Sequence, residues 1–368
     1  MLARIRHPRP PRPASRRRWP AVAIAALACT TLVTAASDAG AACFDRKTQP
    51  YTMVVDAHLH YRPFGGPAIP FTEVNGYLAK AGVKYANVFG IGQALPVDSP
   101  CTYYLNCPGT PVLPTMNNDY VNAENYTEDK PDDVRLSMSM TFPDLANPAG
   151  IPGQIATLDG WYPRIFTWMG EANVMKQALL PNHFEPATKA DIEAWAPFMK
   201  ILRDRNMPIT LHSDLGNADN PTQFLGLMRE VLQRYPNNKI LWAHMGLSRE
   251  LPAIDTALHQ RVLDGLLKRH PNLYLDVSWR ILQDLYFSKP GVSESYAAFF
   301  DKYSTRVIPG TDFVASRDKS YAVYQEELEV NSRIYQYVND ESFRNIALGQ
   351  NYFRLLGLRD TAPPVCTS

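Results

Sequence analysis

The sequence predicts an α/β chain folded as a (β/α)8 TIM barrel, with a long insertion after strand 2 and extra C-terminal helices. Two observations carry this. Eight short stretches rich in β-branched residues recur along the chain, and runs with one apolar face at helical spacing lie between several of them. Strands separated by helices pair in parallel through right-handed crossovers, and eight such units close on themselves. A third observation is size: 368 residues are many for one ordinary domain but suit a barrel of this kind. Hydrophobic residues at 45% supply an ample core, and a formal net charge of +1 gives no reason to expect a nucleic-acid partner.

In chain order, the first element is a leader. Arg4, Arg6, Arg9, Arg12, Arg16, Arg17 and Arg18 precede an apolar run over residues 21–36, then the small residues of "DAGAAC". Residues 1–42 therefore read as an export signal peptide, which leaves a mildly acidic mature chain over 43–368 in the periplasm or outside the cell. The stretch "SRRRWP" resembles a twin-arginine signal, with Trp19 where that motif prefers Phe. An uncleaved anchor and a lipidated Cys29 or Cys43 are the competing readings, although neither "ALAC" nor "GAAC" has leucine three residues before the cysteine. No other apolar run approaches the roughly 18 residues of a spanning helix, so no stable membrane span is expected after the leader is removed.

Of five cysteines, one (Cys29) lies in the leader, and the other four fit two disulfides in an exported chain. Cys101 and Cys107 share the loop "PCTYYLNCPG", and Cys43 with Cys366 would tie the termini together, as a closed barrel permits. A zinc site made of these four competes, but their spacing matches no CxxC pattern.

The strand-like stretches are "YTMVVDAHLH" (51–60), "KYANVFGIG" (84–92), "VRLSMSMTF" (134–142), "RIFTWMGEANV" (164–174), "MPITLHSD" (207–214), "NKILWAHMG" (238–246), "NLYLDVSW" (272–279) and "RVIPGTDF" (306–313). Helical runs follow at "DIEAWAPFMKILRDRN", "PTQFLGLMREVLQRYPN" and "QRVLDGLLKRHPN", and "SYAVYQEELEVNSRIYQYV" with "ESFRNIALGQNYFRLLGL" closes the chain. Residues 93–133 read as a long loop and 144–163 as a second irregular segment, and both are expected to rise over the barrel mouth.

Polar residues fall at one end of these strands. His58 and His60 alternate in "VVDAHLHYRP" and so share a face. Glu171 ends the fourth stretch, His212 the fifth, His244 the sixth and Asp312 the eighth. A barrel delivers such residues to one mouth. Four of the protein's eight histidines stand there, and a metal needs several such donors with a position left open for water. Each alone would pass for a packed core histidine. Asp56 faces the same side from deeper in the strand, as support for the histidines or as packing. Arg62 and Arg280 are placed to pair with a carboxylate at the mouth. Trp279, with Trp161, Trp168, Tyr103 and Tyr104, offers flat walls for a small-molecule substrate. His183 is a candidate for the border of the site.

The order HxH, Glu, His, His, Asp on successive strands resembles the amidohydrolase superfamily of metal-dependent hydrolases. The context "VVDAHLH…LHSD…AHMG…LDVSW…GTDF" is most similar to its amidohydrolase-related branch, which includes barrel decarboxylases and lactonases, and the resemblance runs from about residue 51 to 358. It implies that His58, His60 and Asp312 bind a first divalent ion. His212 would join them, or help His244 hold a second ion. Glu171 would bridge two ions or orient a ligand, since many single-metal members lack a ligand there. Zinc is the first expectation, with manganese or iron behind. Asp312 would move the proton of an activated water, and with one metal His244 would polarise the substrate carbonyl. The activity implied is hydrolysis of an ester, lactone or amide in a small, anionic molecule. Non-oxidative decarboxylation of an aromatic or enoic acid is the alternative, and a barrel that only binds ligand or metal is a third reading. A homo-oligomer is left open.

Overall fold

The computed structural model describes residues 43–49 and 52–367, so the expected leader and its cleavage site lie outside the described residues. All eight strand-like stretches form strands: β1 Val55–His60, β2 Tyr85–Phe89, β3 Arg135–Met140, β4 Phe166–Met175, β5 Ile209–Ser213, β6 Ile240–Trp242, β7 Leu273–Val277 and β8 Val307–Pro309. They pair in parallel, each with its neighbour in sequence from β1 to β8. The eighth position does double duty. β8 lies along β7, the chain then bends through Gly310, Thr311 and Asp312, and the two-residue strand Phe313–Val314 pairs with β1. A Cβ on Gly310 would stand 2.6 Å from the Cβ of His58, so only glycine lets β8 pass this close to β1.

Helices cover the outside of this sheet, which is why the strands are buried on both faces and read as nearly continuous apolar runs. The helix-patterned runs become Lys189–Ala194 with Ala196–Asp204, Leu225–Arg234 and Thr256–Arg269. The closing region becomes Tyr321–Ser332, Asp340–Ile346 and Gln350–Leu356.

The two segments expected to be irregular are so only in part. Residues 93–133 hold a short hairpin, Gln93–Ala94 against Leu113–Pro114, and then the helix Asn117–Glu128. Residues 144–163 hold the helix Ile151–Trp161. The first helix escapes notice because it docks by a polar face. Asn118 donates to the Ile91 carbonyl (2.9 Å), Asn122 to the Phe89 carbonyl (3.2 Å), and Asp119 accepts from the backbone N–H of Thr141 and Phe142 (2.8 and 2.9 Å). The second carries two glycines and a proline, yet the proline sits in the first turn, where its missing N–H costs nothing.

The amino ends of the strands are plugged by the last helix. Tyr352 stacks on Trp168 (centroids 6.0 Å apart) and its hydroxyl meets Ser137 Oγ at 2.8 Å. Both expected disulfides form. Cys43 and Cys366 have Cα atoms 4.9 Å apart, beside a parallel bridge between Phe44 and Val365, and Cys101 pairs with Cys107. Among the described residues no helix is long and apolar enough to cross a membrane.

Candidate metal centre

Six side chains from five strand ends meet in one buried cluster. Three overlapping triads have ligand atoms within 4.8 Å of one another: His58, His244 and Asp312; His58, His60 and Glu171; Glu171, His212 and His244. The Nε2 atoms of His58 and His60 each lie 3.3 Å from Asp312 Oδ1. Glu171 reaches to 3.6 Å of His60 and 3.7 Å of His244.

The far side of three of these rings is held by a neighbouring strand. His60 Nδ1 meets the Gly90 carbonyl at 2.5 Å, and His244 Nδ1 meets the Ser278 carbonyl at 3.1 Å. A carbonyl can only accept, so each Nδ1 carries the proton and each Nε2 turns a lone pair to the centre. His58 Nδ1 lies 2.6 Å from Asp276 Oδ2, the carboxylate–histidine pairing that fixes a metal ligand's orientation. The buried Nε2 of His58 has no aligned hydrogen-bond partner. Such an atom, among carboxylates and imidazoles with their lone pairs converging, fits a divalent cation.

His212 differs, because both its nitrogens already face carboxylates: Nδ1 meets Glu171 and Nε2 meets Asp214 Oδ1 at 2.9 Å. Lys176 lies 3.4 Å from both oxygens of Glu171. Burial works against the charge on each member of this group. It is outweighed at Glu171 by Lys176 and His212, and at Asp312 by the close imidazoles of His58 and His60, so both carboxyls sit well below the usual range. Lys176 is likewise held above its ordinary value by Glu171, Asp312 and Asp214, against the pull of burial.

The backbone is bent to aim these groups. His244, Trp279 and Asp312 have φ of 53°, 79° and 58°, a left-handed region that costs about 1–3 kcal/mol for residues with side chains. All three stand where a strand ends and the chain turns across the mouth.

Above the cluster opens a cavity of about 350 Å³, lined by His60, His212, His244, Asp312 and Lys176 and walled further out by Tyr103, Tyr104, Trp279, Arg249 and Lys319. Arg280 also lines it, but its guanidinium is bound to Asp284 (2.9 Å) and Glu326 (3.2 Å). Arg62 does not line it. β1 ends at His60 and the chain bends at once, so the alternation that aligns His58 with His60 does not extend to residue 62. Trp168 is core, with its indole N–H on Thr210 Oγ1 at 2.9 Å, while Trp161 and His183 are exposed away from the cavity. None of residues 144–163 reaches the mouth cavity. Asp56 is buried under Thr311 and Tyr324, as packing and support for the bend before Asp312.

Several residues at the site gave no sequence signal of their own. Asp276 lies inside the apolar run "LYLDV", where a lone acid needs a partner, and that was the clue available. Lys176 follows the longest strand directly, and Arg249 stands five residues after His244. Arg249 lies over Trp279, 5.6 Å from its ring centre, and makes no salt bridge among the described residues.

Comparison with known proteins agrees with this reading of the fold. The family model described as Amidohydrolase matches residues 55–331. No curated protein matches. Among solved structures, an amidohydrolase from Burkholderia multivorans with bound zinc is similar, with 11% identity and a TM-score of 0.53, covering 83% of this chain and 99% of that one. A dihydroorotase from Saccharomyces cerevisiae in complex with 5-fluoroorotic acid aligns with 12% identity and a TM-score of 0.48, covering 85% of this chain and 86% of that one. The likeness to the Burkholderia protein speaks for a shared barrel alone. The family match runs from the first strand through the helix after the eighth, over most of the barrel: the chain belongs to the amidohydrolase family.

Proposed function

We propose that this chain is an exported, metal-dependent hydrolase that adds water across an ester, lactone or amide bond of a small anionic molecule. The observation that carries the proposal is the shared aim of three imidazoles, whose Nδ1 atoms are held from behind by Gly90, Ser278 and Asp276 while their Nε2 atoms converge on Asp312 and Glu171. His58, His60, Asp312 and Glu171 would hold one divalent cation, zinc first and manganese or iron as alternatives. Glu171, His244 and His212 would hold a second, for which His212 must release a carboxylate. Such a cation lowers the pKa of a water toward neutrality and polarises a carbonyl.

The chain's own residues do the rest. Asp312, half-buried at the floor of the cavity with its carboxyl held well below the usual range, would take a proton from the attacking water and return it to the leaving group. With only one cation bound, His244, beside Trp279, is free of a metal and, once protonated at Nε2 as well, would donate to the substrate carbonyl. Lys176 holds Glu171 as a carboxylate. Arg249 and Lys319 supply positive charge to the cavity, and this supports an anionic substrate. The two disulfides support an oxidising compartment.

The same wall favours a second reading. A cavity with Arg249 and Lys319 in its wall and rimmed with Tyr103, Tyr104 and Trp279 also suits decarboxylation of an aromatic or enoic acid. One experiment separates the two. Metal-replete protein and Asp312→Asn are given a panel of lactones, aryl esters, N-acyl amino acids and aromatic carboxylates, and products are weighed. Gain of water, with the variant slower by about 10²–10⁴-fold, is the expected result. Loss of carbon dioxide selects the second reading, and an Asp312→Asn variant as fast as wild type removes the proton-transfer role.

A further inference from the structure

The two disulfides differ in what they can do. Cys43–Cys366 closes nearly the whole chain, with a sequence separation of 323, whereas Cys101–Cys107 spans only 6. A cross-link restrains the unfolded chain more as its loop grows, so the small ring adds little global stability. Its value is local. Four of the five residues inside it, Thr102, Tyr103, Tyr104 and Asn106, line the cavity over the metal-ligand cluster.

The ring is seated on a base of its own. Asn182, buried, donates to the carbonyls of Cys107 (2.7 Å) and Thr110 (2.8 Å), and its own carbonyl accepts from Val112 N–H at 2.9 Å. Phe64 meets Tyr104 edge-on at 4.6 Å, and Tyr103 lies 4.8 Å from Tyr104. These rings join Ile91, Leu95, Val112, Leu179 and Phe184 in a small apolar cluster separate from the barrel core. A Cβ on Gly65 would fall 2.5 Å from the Cys101 carbonyl, so the chain after β1 and the ring are packed backbone to backbone. Ordering two aromatic side chains on binding would otherwise cost free energy, which a ring already held in place does not spend.

We propose that the ring closed by Cys101 and Cys107 is the specificity wall of the cavity, fixing Tyr103 and Tyr104 so that a flat anionic substrate is favoured over a non-planar one of equal charge. This rests on the reading of the cavity as the binding site of an anionic substrate. The flat faces come from Tyr103, Tyr104 and Trp279, and the charge is met by Arg249 and Lys319. Among the described residues no cysteine belongs to the metal-ligand cluster, so opening the ring removes none of its members.

The test is calorimetric titration of the zinc-loaded protein with benzoate and with cyclohexanecarboxylate, which share charge and ring size but not planarity. Wild type is expected to bind benzoate about tenfold more tightly. The preference should fall to about threefold or less in Cys101→Ser/Cys107→Ser and in Tyr104→Leu, with zinc content unchanged, and persist in Cys43→Ser/Cys366→Ser. Tyr104→Leu decides alone if the cysteine variant does not fold. A wild-type protein that binds both acids equally, or loop variants that keep the full preference, overturns the wall and leaves the anionic site standing. A wild-type protein that binds neither acid removes both.

Discussion

At the carboxyl ends of its strands this barrel buries imidazoles, carboxylates and an ammonium group, and holds His244, Trp279 and Asp312 in left-handed backbone. At the amino ends it buries Trp168 and Tyr352, ring on ring, under a helix that caps the sheet. The first arrangement costs free energy, through desolvated charge and strained dihedrals. The second supplies it, through apolar area removed from water. Chemistry and stability are thus assigned to opposite ends of one closed sheet, as a barrel allows.

Substitutions that affect one end and spare the other test this division. The largest effect belongs to Asp312→Asn, expected to slow turnover by about 10²–10⁴-fold while the thermal midpoint, read by circular dichroism, does not fall. An equal loss of stability would show that Asp312 is a structural residue. Away from the mouth, Cys43→Ser/Cys366→Ser is expected to lose about 2–4 kcal/mol in denaturant unfolding with kcat unchanged. A change in kcat would tie the termini to the site and break the comparison. Asp276→Asn sharpens it from the mouth side. It leaves His58 in place but removes the carboxylate behind its ring, so zinc affinity, measured by chelator competition, should fall by about 10–100-fold.

The smallest effect concerns Asp119, which is buried behind the rim and whose carboxyl burial pushes up to about 7 against the hydrogen bonds of Thr141 and Phe142. Between its ordinary value of 3.8 and about 7, the folded chain keeps a proton that the unfolded chain has lost. The contribution is complete at acid pH and disappears as pH rises through that window. Asp119→Asn should therefore flatten the pH dependence of unfolding free energy by up to about 1.4 kcal/mol per pH unit. An unchanged slope would mean that the group titrates normally.

The sequence was informative where a structural period and a chemical type coincided. β1 to β8 were legible because buried parallel strands are short apolar runs, and the metal-ligand candidates were legible because each ended such a run. The helix Asn117–Glu128 was not, since its buried face is Asn118, Asp119 and Asn122, which carry no hydrophobic period. Nor was the turning of Arg62 away from the cavity or the placing of Arg249 in it, because a side chain beyond a strand end is aimed by a loop bend and not by alternation. Asp276 was hidden for a third reason: its partner, His58, lies 218 residues away in sequence.

The bond between Cys43 and Cys366 makes the covalent outline of the described chain a circle. Eight repeating units on a circle have no privileged first member. A permuted gene that joins the two ends by a short linker and opens at an exposed turn should reach the same barrel, with that cross-link made redundant.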